Sequence, residues 1–531
     1  MLSQQTDCLR YGLYEALFES GGVYDNPYRQ VHAEAVLTAP DRRVLRLPLF
    51  WDGENRWRLR FSPDQVGTWC YWVESSEEGL AGQRRVFHCQ PSELHGGLVP
   101  MDGYPSHLAR QDGTPVWLMG DTNWRAFAND PSKGLDEQQF GHYVATRAAQ
   151  GFNYVHADLM SGGGLDGGQS VFLDWAGERL NLEVWQRIDG RIHEMNAVGL
   201  TCGLVLAWSR GKESWASFPD DKARLRYARY VVARYSALDV VFIVAGEWDL
   251  AGRAHRERYV RLGHAIRAAD PHKRPIAVHA GVARSTEEFA TEPWITFGDY
   301  QQMYRAPHDR EATPIERLSL HNHLLKARVH GKPVVNAEYA YYLRDMSRDR
   351  SYHARDIPGV DKPHSHTRQS FRRASWALAM AGGYFVSGFG STYFGGWRHD
   401  GPFDVDDIRN DPAEDDLTRL ASFFRNLPWW RLAPMDGLLR YTTGVGYCLA
   451  ELGQLYVVYA EEAHRLLLHL DGGEGHWFDI WRYNPRTGTR TRLPPQEGGA
   501  YIMLTCPNRE DWAFVLSARS AGSHQQGENN R

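Results

Sequence analysis

The sequence predicts an α/β protein: a (β/α)8 TIM barrel flanked by two β-sandwich domains. Three observations predict it. From about 96 to 435, short apolar runs alternate with helical stripes, the rhythm of parallel strands joined by crossover helices. The zones before and after replace that rhythm with short period-2 strands between Pro-, Gly- and Asn/Asp-rich turns. Two apolar runs, Val241-Phe-Ile-Val-Ala-Gly-Glu247-Trp248 and Pro333-Val-Val-Asn-Ala-Glu338-Tyr339-Ala-Tyr341, stop abruptly at a glutamate followed by an aromatic. Buried parallel strands read this way, and barrels keep their chemistry at such C-terminal tips.

At 531 residues the chain exceeds one core, and ~100–200 residues per domain gives about three. Residues 1–95 are expected to form the first β-sandwich, with Val31-His-Ala-Glu-Ala-Val-Leu-Thr, Arg56-Trp-Arg-Leu-Arg-Phe and Trp69-Cys-Tyr-Trp-Val as strands. Residues 96–435 are expected to form the barrel. Its first strand is placed at 114–120, followed by a helical face of Phe140, Tyr143, Val144 and Arg147. Strand two is Phe152-Asn-Tyr-Val-His-Ala, and a stripe of Trp185, Ile188, Ile192 and Met195 leads to strand three at 201–208. A helix carrying Leu225, Ala228, Val231 and Tyr235 enters the strand ending at Glu247. Tyr259, Leu262 and Ile266 then lead to Pro275-Ile-Ala-Val-His279. Strand six is read at Trp294-Ile-Thr-Phe, a helix over 318–329 precedes the strand ending at Glu338, and a helix over 367–381 precedes strand eight at Tyr384-Phe-Val-Ser. Residues 436–518 are expected to form a second sandwich, and 519–531 a disordered tail with almost nothing to bury.

Composition narrows the function. A net charge of −5 with interspersed signs leaves no polybasic stripe, so no nucleic acid partner is expected. No stretch approaches ~18 apolar residues, and the N-terminus lacks a basic region followed by an apolar one, so no membrane span is expected and the cytoplasm is the default location. The six cysteines are scattered without C-x-x-C or zinc spacing, so neither a metal nor a disulfide scaffold is expected. The 19 Trp and 26 Tyr exceed what a core requires and suit a site that stacks rings on sugar C–H faces.

By strand count Glu247 ends the fourth strand and Glu338 the seventh. Their tips then face each other across the barrel mouth, close enough to hold one glycosidic bond. Retaining glycosidases hold the two carboxyls ~5–5.5 Å apart, and inverting ones ~6.5–9.5 Å. The competing reading is that each glutamate caps a helix or pairs with an arginine. Other candidates for sugar contact share the expected face: Asp121 and Trp124 after strand one, His156 and Asp158 on strand two, Trp208 after strand three, Trp248 beside Glu247, and His279 on strand five. Helix capping competes for Asp121, and a satisfied core histidine for His279. Tyr339 and Tyr341 straddle the end of strand seven, where a hydroxyl could hydrogen-bond Glu338. The run Gly388-Phe-Gly-Ser-Thr-Tyr393-Phe-Gly-Gly-Trp397 reads as a pocket wall.

The motifs resemble a known family. Pro115-Val-Trp-Leu-Met-Gly-Asp121-Thr-Asn-Trp124, Gly151-Phe-Asn-Tyr, Val244-Ala-Gly-Glu247, Ala277-Val-His279, Val335-Asn-Ala-Glu338 and Trp376-Ala-Leu-Ala-Met-Ala-Gly-Gly resemble the apiosidase-like catalytic domain of clan A glycoside hydrolases. Asn26-Pro-Tyr, Phe50-Trp-Asp-Gly and Pro63-Asp-Gln-Val-Gly-Thr-Trp69 resemble the immunoglobulin-like domain often found ahead of that barrel. Trp481-Arg-Tyr-Asn-Pro-Arg-Thr-Gly488 and Asp511-Trp512 resemble its usual C-terminal sandwich, which carries the label collagen-binding. The resemblance implies a retaining glycoside hydrolase with Glu247 as acid/base, Glu338 as nucleophile, a carbohydrate substrate and no cofactor. Two departures fall in substrate recognition, so apiose is not carried over. Gly246 stands where clan A commonly has Asn, and Gln301-Gln302 is not followed by the family's His. Two rivals stand beside hydrolysis: a transglycosylase on the same pair, and a catalytically silent carbohydrate-binding protein.

Overall fold

The computed structural model describes residues 6–129, 136–160, 170–174, 176–211, 214–302, 314–339, 341–342, 368–389 and 412–519. The first zone folds as two facing sheets, because its strands alternate apolar and polar residues and so have one side to bury. One sheet joins Tyr14–Glu19, Arg56–Phe61 and Phe50–Trp51. The other joins Asp7–Leu9, Arg84–Gln90, Gly67–Ser75, Ala33–Thr38 and Val44–Pro48. Tyr14, Phe18, Trp57, Leu59, Trp69 and Phe87 fill the gap, with Tyr14 and Phe87 stacked at 3.9 Å.

Eight parallel strands follow: β1 (Met119–Thr122), β2 (Tyr154–Asp158), β3 (Thr201–Val205), β4 (Val240–Ile243), β5 (Ile276–Ala277 and His279–Ala280), β6 (Gly298–Gln301), β7 (Val334–Glu338) and β8 (Tyr384–Phe389). Each pairs with its sequence neighbours, and β8 pairs with β1. β5 is broken at Val278. Its first piece pairs with β4 and its second with β6, so the ring closes through it. Between the strands run α1 (Glu137–Ala149), α2 (Leu182–Ala197), α3 (Asp221–Tyr235), α4 (Arg256–Ala269), a 3-10 turn at Ala283–Phe289, α5 (Pro314–Ala327) and α6 (Arg368–Met380). α7 (Pro412–Arg425) follows β8. β1, β2, β3, β4 and β7 are buried along their whole length because helices cover the outside and side chains fill the inside. Tyr154 fills so much of that interior that a β-carbon on Gly203 would lie 1.8 Å from its hydroxyl.

Two strand placements are corrected. β6 is Gly298–Gln301, directly after the apolar run at 294–297. Trp294 packs outside the ring, against the helix α4 backbone at Gly263 and the ring of Phe289. The true strand is polar, and its Asp299 reaches His279 and His156 inside the barrel. At β1, Pro115–Val116 belongs instead to an antiparallel sheet with Tyr104–Arg110 and Leu98–Met101. That sheet covers the N-terminal end of the barrel, where Arg110 binds Asp239 at 2.6 Å ahead of β4 and His107 meets the Tyr384 hydroxyl at 3.1 Å.

After the barrel, a six-stranded sheet (Ala433–Pro434, Val445–Glu451, Leu455–Glu461, Trp512–Ala518, Trp477–Tyr483, Arg490–Glu497) faces a three-stranded one (Leu439–Tyr441, Arg465–His469, Tyr501–Thr505). Every residue of Leu455–Glu461 is buried. Tyr456, Val458 and Ala460 enter the sandwich core, whereas Leu455, Val457 and Tyr459 belong to the barrel's core. Tyr459 stacks on Trp376 of α6 at 4.8 Å, and Tyr483 meets Phe423 of α7 at 4.8 Å.

Buried ion pairs tie both sandwiches to the barrel. Arg60 binds Asp189 of α2 at 2.7 Å, and Arg234 of α3 reaches back to Asp52 at 3.0 Å while also binding Asp189 at 2.8 Å. Burial alone would raise the Asp189 carboxyl, yet Arg234 and Arg60 hold it at about 2. On the other side Arg372 grips Asp511 through two bonds of 2.9 and 2.7 Å, and Arg317 of α5 pairs with Glu461. All six cysteines are free thiols. No helix among the described residues is long and apolar enough to cross a membrane.

Candidate active site

The two glutamates arrive by different local routes. Glu338 is the last residue of β7 and only 2% exposed. Asn336 fixes its backbone, with its side-chain oxygen accepting from the Glu338 N–H at 3.3 Å. The Glu338 carbonyl accepts from the Gln302 N–H at 3.1 Å, beside a register shift that pairs Gln301 with Glu338. Glu247 lies four residues past the end of β4, half-buried, in the left-handed region at φ 45° and ψ 48°. A non-glycine residue held there carries ~1–3 kcal/mol of strain. Its carbonyl is fixed by the Ser209 hydroxyl at 2.7 Å and the Leu250 N–H at 3.0 Å.

Their electrostatic settings differ. Burial, joined by the charge of Glu338, pushes the Glu247 carboxyl up to about 7, while His279 and Arg210 pull it down. Glu338 faces His279, whose Nε2 lies 3.6 Å from Oε1, an ion-pair separation rather than a hydrogen bond. The other ring nitrogen, Nδ1, bonds Asp299 of β6 at 2.8 Å. Burial would favour a neutral His279 ring, but the bond to Asp299 and then the Glu338 carboxylate raise it to about 10. His156 of β2 lies 3.9 Å from Asp299 and is held down at about 4, chiefly by burial.

An aromatic wall stands over this pair. Trp124, after β1, packs on His156 at 4.8 Å and meets Trp208 edge to face at 5.1 Å. Trp208 is half-buried and donates its indole N–H to Asp158 at 2.5 Å. Asp158 also accepts from the Met160 N–H at 3.2 Å. The expected residues that the fold brings together are therefore Glu247, Glu338, His279, Trp124, Trp208 and Asp158, while Gln301 meets Glu338 through strand pairing.

Three expected contacts are placed elsewhere. Asp121 alternates outward from β1 and binds Arg147 and Tyr143 of α1 at 2.7 and 2.8 Å, all three buried, so it ties strand to helix. Trp248 is fully buried behind the strand tip against Tyr259 and Phe289. Tyr339 places its hydroxyl on Ser375 of α6 at 2.7 Å and its ring on Phe371, so it does not stand toward Glu338 as expected. The single-residue step from 338 to 339 reverses the side-chain direction. Tyr341 pairs its backbone with Gly388, and its side chain lies outside the described residues, as do Tyr393 and Trp397.

Sequence reasoning missed Asp299 and Arg210. Asp299 sits in a four-residue strand too polar to stand out. Arg210 is exposed beside Ser209, and only the fold shows that its charge acts on Glu247.

Residues 105–431 match the apiosidase-like catalytic domain family, and residues 7–76 match a domain of unknown function, DUF5060. No curated protein matches. Among solved structures, a candidate glycoside hydrolase of Bacteroides vulgatus superposes with a TM-score of 0.75 at 16% identity, covering 97% of this chain and 100% of that one. A glycoside hydrolase family 5 protein of the same organism gives 0.65 at 16% identity, covering 80% and 93%. A further structure described as a glycoside hydrolase gives 0.63 at 15%, covering 80% and 97%. At these identities the likeness speaks for the fold, whereas the match over more than half of the sequence speaks for descent. The chain belongs to the apiosidase-like catalytic domain family and is a glycosidase by class.

Proposed function

We propose that the protein hydrolyses the glycosidic bond of a small glycoside or oligosaccharide with net retention of configuration. Glu338 attacks the anomeric carbon and Glu247 protonates the departing oxygen. The glycosyl ester on Glu338 is then opened by water, from which Glu247 takes a proton. One observation carries this reading: the two carboxyls are electrostatically unequal. Glu247, raised to about 7 by burial and by Glu338, keeps a share of its proton at neutral pH and can give it up, while Glu338 faces the cationic edge of His279. Trp208 presents the exposed ring of the wall, suited to stacking on a sugar face, and Asp158 fixes its angle. Neither step requires a cofactor.

Substituting each glutamate tests the roles. Glu338→Ala is expected to abolish turnover of aryl glycosides. Glu247→Ala is expected to lower it by ~10²-fold or more, with azide restoring turnover of activated substrates and yielding a glycosyl azide of retained configuration. An inverted azide product from the Glu247 variant would exchange the roles, and undiminished rates in both variants would end the reading.

A further inference from the structure

His279 is held from two sides by anions. Its Nδ1 is 2.8 Å from Asp299 and its Nε2 3.6 Å from Glu338, and the ring is fully buried between them. A neutral imidazole carries one N–H, so one of these carboxylates would meet a bare nitrogen lone pair. A ring with both nitrogens facing carboxylates therefore fits the doubly protonated form. We propose that His279 is a positioning residue that meets Glu338 as an imidazolium, with Asp299 as the counter-charge that keeps the ring protonated and fixes its plane. This rests on reading Glu338 as the nucleophile.

The groups packed around the ring agree. Asp299 approaches from β6 and Glu338 from β7, while the half-exposed Glu247 acts from the end of β4. His156 of β2 is the other ring near Asp299, at 3.9 Å, and burial holds it neutral. Arg210, after β3, directs its charge at Glu247. Trp124 and Trp208 meet the His279 ring edge to face, each at 6.3 Å, which leaves the ring little freedom to turn. Burial alone would discharge His279, so the two carboxylates are what sustain its charge.

The arrangement has a chemical consequence. When Glu338 Oε bonds to the anomeric carbon and the leaving oxygen takes the Glu247 proton, Glu338 becomes a neutral ester. His279 keeps both protons, and its charge is then balanced by Asp299 and by the Glu247 carboxylate that the proton transfer leaves behind. When water opens the ester, returning its proton to Glu247, the carboxylate reforms opposite a cation already in place. His279 transfers no proton, so its contribution is orientation and charge.

Two conservative variants and one spectroscopic measurement test this. In His279→Gln, kcat on an aryl glycoside is expected to fall about 10-fold or more while KM changes less than about 3-fold, since binding is kept and orientation lost. The alkaline limb of its pH profile is expected to move upward by about half a unit or more, because the cation that lowers the Glu247 pKa is gone. In wild-type protein with 13C-labelled histidine, His279 is expected to stay protonated past pH 8, and in Asp299→Asn to lose its proton at lower pH. A wild-type His279 that discharges below pH 7, or a His279→Gln limb coincident with wild type, would overturn the assignment while leaving the enzyme reading intact. Conversely, a charged His279 in a protein that turns over no glycoside would overturn the enzyme reading and keep the ion pair. Should His279→Gln not fold, the wild-type and Asp299→Asn spectra decide alone.

Discussion

Trp208 lies directly over Gly246: a β-carbon at that glycine would meet indole atoms at 2.4, 2.7 and 2.8 Å. The position immediately before Glu247 has thus given up its side chain to let an indole approach the backbone. The same contact carries a β-bridge between residues 208 and 246, in which the Gly246 N–H donates to the Ala207 carbonyl and the Gly246 carbonyl accepts from the Ser209 N–H, both at 3.0 Å.

Gly246→Ala is therefore expected to push Trp208 off its seat and disturb its bond to Asp158. A shift of this kind next to a catalytic group can cost ~10²-fold in rate, and overpacking costs about 1–3 kcal/mol in stability. Steady-state kinetics and chemical denaturation measure the two. A variant with wild-type rate and stability would show that the wall moves freely.

The pH dependence follows from Glu247. As the group that must hold a proton, it sets an alkaline limb in kcat/KM near pH 7. Arg210 pulls that pKa down, so Arg210→Ala is expected to move the limb to higher pH. A limb that stays put would mean that the arginine's charge does not reach the carboxyl.

Linkage gives a stability counterpart. The Glu247 pKa rises from its ordinary 4.5 to about 7 on folding, so between those values the folded state binds more protons than the unfolded one. Stability from this group is present below about 4.5 and lost as pH rises to about 7. Glu247→Gln, which cannot ionise, is expected to gain stability relative to wild type across that window. Denaturant titrations at pH 5 and pH 8 read the difference, and a gap that narrows with pH would contradict the sign.

Asp121 separates a structural from a binding role. It and Arg147 are both fully buried, and removing one partner of such a pair costs about 3–5 kcal/mol. Asp121→Ala is expected to lower the unfolding midpoint strongly while KM of the folded fraction stays near wild type. A raised KM with unchanged stability would place the carboxylate in the sugar site after all.

How far the sequence disclosed this site depends on how each strand divides its faces. β4 was legible because its residues are apolar inward and outward, and β7 because only Asn336 interrupts its apolar run before the glutamate. β6 was not, because a strand of Gly298, Asp299, Tyr300 and Gln301 spends its inward face on polar work and resembles a loop. The neighbouring apolar run drew the reading toward residues that belong to the helical layer. Side-chain direction was the second obstacle. Trp248 and Tyr339 each adjoin one of the two proposed catalytic glutamates in sequence, and each faces away from it. Partners that meet across the ring, such as His279 and Asp299, leave no trace in local spacing.

The strand Leu455–Glu461 has no outer side. One row of its residues belongs to the sandwich and the other to the barrel, with Tyr459 lying on Trp376. The family match stops at residue 431, yet the barrel's apolar interior continues into Val445, Tyr447, Val457 and Ala513. A protein cut at the edge of its recognised catalytic region would carry a bare aromatic flank where that sheet had been. The smallest piece of this chain that can be handled as an enzyme is thus larger than the region by which its family is recognised.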